Sequence, residues 1–270
     1  MGIFDGHCAL ISGGGTGLGL EIGKALARRG AKLALASRSE EHLERGRETL
    51  SALGAEVQTR VCDVRDYRAV RSCVRSLEDT FVLPDLLVNN AAGNFVRPSE
   101  RLPEKAFANV VDIVLNGSFY LSRTLGARWI ERGVRGVQLN VLATYAWTGG
   151  PGTVHSACAK AGVLAMTRTL AVEWARHGIR IVGLAPGPFE SSGAADRLWP
   201  SVELKNRVRE GIPLGRFATR EEVAEAAAWL MGPSADYVTG ECLTMDGGAW
   251  LGKGILGPGE AIPKVLRRRR

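Results

Sequence analysis

The run Ser12-Gly13-Gly14-Gly15-Thr16-Gly17-Leu18-Gly19 carries the clearest chemical signal in these 270 residues. It follows a short aliphatic segment and opens directly into a helical pattern. Glycines at 13, 17 and 19 let the backbone turn tightly and bring amide N–H groups onto a pyrophosphate at the positive end of a helix. Gly13, Gly15, Thr16, Gly17, Leu18 and Gly19 are therefore candidate cofactor-binding residues. The spacing is GxxxGxG, where GxGxxG is the commoner fingerprint, and a purely structural glycine turn is the alternative. After the second aliphatic run stands Ala36-Ser37-Arg38. A carboxylate there would bind a free ribose 2′-hydroxyl, whereas Arg38 offers a planar fork to a 2′-phosphate and Ser37 adds a hydroxyl donor. This favours NADPH over NADH, the alternative being an exposed arginine that opens a helix.

Other residues with chemical potential are scattered. Cys8, Cys62, Cys73, Cys158 and Cys242 form no CxxC pair and read as buried, reduced thiols of a cytoplasmic protein. His7, His42 and His177 lack metal-ligand spacing, so no metal is expected, and His155 reads as a helix-start or interface residue. Trp129, Trp174 and Trp229 fall on apolar helical faces and are expected in the core. Ala157, Ala161 and Gly162 make a small-residue face for close packing, either against a neighbouring subunit or internally.

The elements that must position these residues alternate. Strands are expected near Cys8–Ser12, Lys32–Ser37, Val57–Cys62, Leu86–Val88, Val137–Leu142, Arg180–Gly183 and Cys242–Met245. Helices are expected near Gly17–Arg29, Glu40–Leu53, Tyr67–Thr80, Glu104–Arg132, His155–Arg176 and Arg220–Met231. Repeated βα units predict an α/β fold, a Rossmann-type doubly wound parallel sheet with helices on both faces. No linker divides the pattern, so residues 1–270 are expected to form a single domain. The segment 189–211 breaks the rhythm and would stand beside the carboxyl ends of the strands as a substrate lid. Residues 253–270 read as a basic tail.

Composition bounds the rest. The chain is 45% hydrophobic and 23% charged, with formal net charge +7. Four of those charges are Arg267–Arg270, which leaves a mildly basic body of net +3. That is no polyanion binder, and no basic run is interleaved with aromatics as a nucleic-acid site would be. Apolar stretches are too short to cross a membrane, and the first aliphatic run starts too early for a signal peptide.

Beyond these readings, the chain resembles the short-chain dehydrogenase/reductase family over nearly its whole length. The matching marks are Gly13-x-x-x-Gly17-x-Gly19, Asp63-Val64, Asn89-Asn90-Ala91, Asn116, Ala185-Pro186-Gly187 and Asp246-Gly247-Gly248. The resemblance implies a sheet of about seven strands and a homotetramer. It implies a cofactor held along Asp63, Val64, Asn90, Ala91, Pro186, Gly187 and Pro188, with Asp63 near the adenine and Asn90 lining the channel. The family's lysine is Lys160, which would bind the nicotinamide ribose. The family's usual tyrosine position holds Ser156, and its usual serine position holds Ala143.

One branch of the family, the 2,4-dienoyl-CoA reductases, has this same displacement. The chain resembles it at Asn89-Asn90-Ala91-Ala92-Gly93-Asn94-Phe95, Asp112-Ile113-Val114-Leu115-Asn116-Gly117, Ala143-Thr144-Tyr145-Ala146-Trp147 and His155-Ser156. By that resemblance the active tyrosine is Tyr145, fifteen residues before Lys160, and its partner is Asn94. Asn116 would hold a water near Lys160, and Ser156 would contact the substrate oxygen or the proton path. Arg65 and Arg197 would meet coenzyme A, with Phe95 along the acyl part; an ordinary surface charge is the alternative for each arginine. Pro103 stands where the branch often has a serine. The expected reaction is NADPH-dependent reduction of a 2,4-dienoyl-CoA to a 3-enoyl-CoA in fatty acid β-oxidation. Hydride added at C5 drives charge onto the thioester oxygen, where Tyr145 and Asn94 would donate hydrogen bonds. The alternatives are a 3-oxoacyl thioester or other carbonyl reductase, and a noncatalytic NADP-binding protein.

Overall fold

Strands form where aliphatic residues run unbroken, and in the computed structural model, which describes residues 2–190 and 201–251, each such run is a strand. The first half of the chain gives β1 (Cys8–Ser12), α1 (Gly17–Ala27), β2 (Lys32–Ser37), α2 (Glu40–Ser51), β3 (Val57–Val61), α3 (Tyr67–Thr80) and β4 (Leu86–Asn89). Then come α4 (Glu104–Val111), a π-helical turn (Asp112–Asn116), α5 (Gly117–Arg132), β5 (Val137–Val141), the one-turn α6 (Tyr145–Thr148) and α7 (Val154–Trp174). The described residues end with β6 (Arg180–Pro186), α8 (Val202–Glu210), α9 (Arg220–Met231) and β7 (Cys242–Met245).

The strands are all parallel, in the order β3-β2-β1-β4-β5-β6-β7. Chain order reverses between β1 and β4, and a crevice opens beyond the strand ends at such a switch point. The expected Rossmann-type doubly wound sheet is present. Alternation along β1 shows why its strands are apolar throughout. Ala9 and Ile11 join Ile22 and Leu26 of α1 and Val223 and Ala227 of α9, while Cys8 and Leu10 join Val74 and Leu77 of α3 and Leu121 and Trp129 of α5. Burying each large side chain stabilises the fold by roughly 1.5–3 kcal/mol, so neither face tolerates a polar run.

The starts of α2, α3, α8 and α9 are each capped by a side chain of their own N-cap residue. Asp66 accepts from Arg68 N and Ala69 N at the start of α3, and Thr219 and Glu222 form a reciprocal capping box on α9. By contrast α1 has neither a side-chain cap from Thr16 nor an acid in its first turn. Its leading amides are left for something else.

Several expectations need correction. Trp229 is 47% exposed, because Val223, Ala224, Ala227 and Ala228 already form the inner face of α9. Cys158 is exposed on the outer face of α7, whereas Cys8, Cys62 and Cys73 are buried. Of the two alternatives left open for the small-residue face, Gly162 takes the internal one: a Cβ there would lie 2.8 Å from Leu115. The expected helix Glu104–Arg132 is interrupted by its π turn, after which Gly117 sits so close to Val64 that a Cβ would come within 2.7 Å. Within the expected lid, 202–210 is a regular helix capped by Ser201. The remainder at 191–200, with Arg197, and the tail 253–270 lie outside the described residues.

Candidate active site

Three segments meet beyond the carboxyl ends of β4 and β5: the loop 90–98, α6 and the first turns of α7. They bring together Asn94, Tyr145 and Ser156, which are separate in sequence. The Tyr145 hydroxyl lies 3.3 Å from Asn94 Nδ2 and 3.0 Å from Ser156 Oγ. The orientation of the Asn94 amide is fixed because its Oδ1 accepts from Phe95 N at 2.9 Å, which turns the amide nitrogen toward the phenol. A phenol has one O–H and two lone-pair positions. Asn94 donates into one of these positions, and the Ser156 hydroxyl can either donate into the other or accept the phenolic hydrogen; when Ser156 donates, that hydrogen is left for a third group. Burial pushes the Tyr145 pKa up, only partly opposed by the Ser156 hydrogen bond, so the phenol is protonated at neutral pH.

Lys160, four residues after Ser156 on α7, is buried and donates to Val141 O at the end of β5, at 2.5 Å. Burial pushes its pKa down to about 8. Two of its three N–H groups have no partner among the described residues. Asn116 does not reach it by a hydrogen bond; its amide donates to Asp112 Oδ1 at 2.8 Å across the π turn.

Beside this cluster, the glycine turn forms a cradle. Gly13 and Gly17 have φ of +66° and +56°, conformations that favour glycine. A Cβ on Gly19 would lie 2.4 Å from Gly13 O, and one on Gly15 would lie 2.4 Å from His42 O, so these two residues serve close packing. At Gly17 a Cβ would meet nothing within 4 Å. The open space there, at an uncapped helix start, fits a pyrophosphate. Thr16 and Leu18 flank that space. Asn90 braces the turn, donating from Nδ2 to Ser12 O at 3.0 Å and Gly13 O at 3.3 Å, while Asn90 N and Ala91 N both donate to Ser12 Oγ.

At the far end of the cradle, Arg38 is exposed and has no carboxylate in ion-pair range among the described residues. Ser37 Oγ accepts from Ser39 N at 3.4 Å. Arg65 grips the Asp63 carboxylate through Nε and Nη2 and also donates to Asn109 Oδ1 at 2.6 Å, tying the Asp63-Val64 loop to α4. Arg65 holds the Asp63 carboxyl below the usual carboxylate range. Pro186, Gly187 and Pro188 close the other side, where Gly187 N donates to Met245 O and a Gly187 Cβ would come within 2.4 Å of Asp246.

Three aromatic neighbours of the site carried no functional reading from sequence. His155 stacks on Phe95 with ring centroids 4.3 Å apart. Trp147 and Trp250 meet edge to face at 6.0 Å, both part-exposed. For His155 and Trp147 the one available signal was closeness in the chain to Ser156 and Tyr145; Trp250 offered none. A separate groove of about 790 Å³ between α3 and α5 is lined by Arg68, Arg71, Arg75, Arg128 and Arg132, the last two paired with Glu78. It lies away from Tyr145. Among the described residues no helix is long and apolar enough to cross a membrane.

The family model described as Enoyl-(Acyl carrier protein) reductase matches residues 13–249. A Bacillus subtilis (strain 168) protein named as a probable 2,4-dienoyl-CoA reductase, (2E)-enoyl-CoA-producing, is 43% identical over 243 residues, covering 90% of this chain and 96% of the relative. The Pongo abelii peroxisomal 2,4-dienoyl-CoA reductase, (3E)-enoyl-CoA-producing, is 40% identical over 245 residues, covering 90% and 83%. Among solved structures, a Burkholderia cenocepacia gluconate 5-dehydrogenase in complex with NADP and tartrate has TM-score 0.87 and 29% identity, covering 92% of this chain and 96% of that one.

Proposed function

Because this chain belongs to the short-chain dehydrogenase/reductase family and is an oxidoreductase with a nicotinamide cofactor, we propose that it reduces 2,4-dienoyl-CoA thioesters and that its hydride donor is NADPH. The observation that carries this reading is the Tyr145 hydroxyl, within hydrogen-bond distance of both Asn94 Nδ2 and Ser156 Oγ.

Bound NADPH supplies the hydride for C5 of the dienoyl group. The protein's part is to meet the charge that then develops on the thioester oxygen. Tyr145 donates its free O–H there, and the second N–H of Asn94 is available as a further donor. Losing one such preorganised donor costs about 2.7–4 kcal/mol of transition-state stabilisation. No phenolate is needed, so the serine that Ala143 replaces is dispensable. Lys160 holds the nicotinamide ribose and sets a positive charge behind Tyr145. Arg38 pairs with the ribose 2′-phosphate, Asp63 reads the adenine edge, and the amides at Gly17–Gly19 cradle the pyrophosphate. Asn116 orders a water beside Lys160, Phe95 lines the acyl path, and Arg65, which also holds Asp63 and Asn109, is together with Arg197 the cation assigned to coenzyme A. Residues 1–270 act as one domain, with 189–211 as lid.

Protonation of the resulting dienolate at C2 gives a 3-enoyl-CoA, and at C4 a 2-enoyl-CoA; the two relatives' names differ on this point. Donors gathered at the thioester end favour C2, the carbon next to it. The test is NADPH oxidation by purified protein with 2,4-dienoyl-CoAs of several chain lengths, with the product double bond located by NMR. Turnover to a 3-enoyl-CoA is expected. No NADPH loss at any chain length, or faster turnover of a 3-oxoacyl thioester, overturns the reading.

A further inference from the structure

His155 is fully buried, and neither ring nitrogen has a hydrogen-bond partner within 3.5 Å among the described residues; its nearest polar neighbour is the Phe95 backbone. Polar groups in protein interiors are almost always bonded, so an orphaned imidazole requires an explanation. Burial pushes its pKa below that of an ordinary histidine, only partly opposed by the Phe95 backbone, and its place in the first turn of α7 disfavours a positive charge as well. The ring is thus neutral and used as an aromatic plate. It lies nearly parallel to Phe95, 19° between planes.

The two residues in this stack have telling neighbours. Phe95 follows Asn94 and holds that amide through its own N–H. His155 precedes Ser156. The stack therefore joins the two chain segments that carry the two hydrogen-bond partners of Tyr145.

We infer that His155 is a positioning residue: its imidazole, stacked on Phe95, clamps the loop 90–98 to the first turn of α7 so that Asn94 and Ser156 meet the Tyr145 hydroxyl together. The inference rests on the reading of Tyr145 as the donor. A clamp requires a flat ring and no titratable nitrogen, so His155→Phe preserves it and His155→Ala removes it. Phe95→Leu removes it from the other side without touching α7.

Two measurements decide the matter, one with substrate and one without. In the first, kcat for a 2,4-dienoyl-CoA and Kd for NADPH are compared across the three variants. Misplacing a catalytic group by ~1 Å costs about 10²-fold; a kcat loss of that order is expected in His155→Ala and Phe95→Leu, with NADPH affinity unchanged and kcat recovered in His155→Phe. In the second, the chain's four tyrosines are labelled as 3-fluorotyrosine, and the Tyr145 resonance is identified by its absence in Tyr145→Phe. That resonance is expected to shift in His155→Ala and Phe95→Leu and to hold its wild-type position in His155→Phe. Wild-type kcat and an unmoved resonance in His155→Ala overturn the inference, as does loss of both in His155→Phe. If wild type fails to turn over any dienoyl-CoA, the proposed function falls, while the fluorine resonance still decides the clamp.

Discussion

The amide nitrogen of Asn94 donates to the hydroxyl of Tyr145 across 3.3 Å, joining the loop after β4 to the single helical turn after β5. With this bond in place, and Ser156 donating as well, the phenol keeps its single hydrogen to offer. Tyr145→Phe is therefore expected to lower kcat by about 10²–10³-fold while NADPH binding, followed by fluorescence titration, stays at its wild-type value. Asn94→Ala should fall in the same direction. A Tyr145→Phe enzyme of full activity would mean that the donor is another group.

Lys160 ties activity and stability to pH in opposite senses. Its pKa, brought down by burial from 10.5 to about 8, means the ammonium is lost as pH rises through about 8. The pH profile of kcat/KM is expected to fall above that value. Between about 8 and 10.5 the unfolded chain binds one proton more than the folded chain, so this residue makes stability rise with pH across that window. Lys160→Met is accordingly expected to be inactive yet more resistant to thermal unfolding at pH 7, measured by calorimetry.

Cofactor choice should turn on Arg38. A charge-assisted hydrogen bond to the 2′-phosphate contributes about 1.5–3 kcal/mol, so Arg38→Leu should weaken NADPH binding by about 10–10²-fold and leave NADH binding little changed. Equal loss for both nucleotides would assign Arg38 to some other role.

The capping box on α9 offers a stability test remote from the chemistry. Thr219→Ala is expected to cost about 1 kcal/mol, roughly 2–4 °C in Tm, with kcat unaffected. Arg216 holds the Glu222 carboxyl down at about 2. The contribution of this carboxylate is therefore complete above pH 4.5 and disappears as pH falls through about 2, which acid unfolding of Glu222→Gln would reveal as a loss of the corresponding slope.

Much of this architecture is legible in the chain itself. Apolar runs and caps mark β1, β2, β7, α3 and α9 to the residue. The π turn at Asp112–Asn116 is not, because an inserted backbone residue leaves the side-chain pattern helical on both sides. Nor is α6, whose four residues are too few to show a period, so Tyr145 came into view through family resemblance alone. Trp229 misled because an aromatic among alanines suggests a core, while the alanines themselves had already filled it. His155 was hidden for a different reason: its role depends on a ring sixty residues earlier, a contact that no local pattern encodes.

Asn90, whose side chain clasps Ser12 and Gly13, and Asn94, which orients Tyr145, sit on one short ribbon of chain. Four residues can separate their Cα atoms by no more than about 14 Å. The glycine turn and the Tyr145 hydroxyl are thus two stations on a common tether. Slackening at Ser12 would travel along it, and a lesion in the dinucleotide turn would register as lost turnover even with the acyl group held in place.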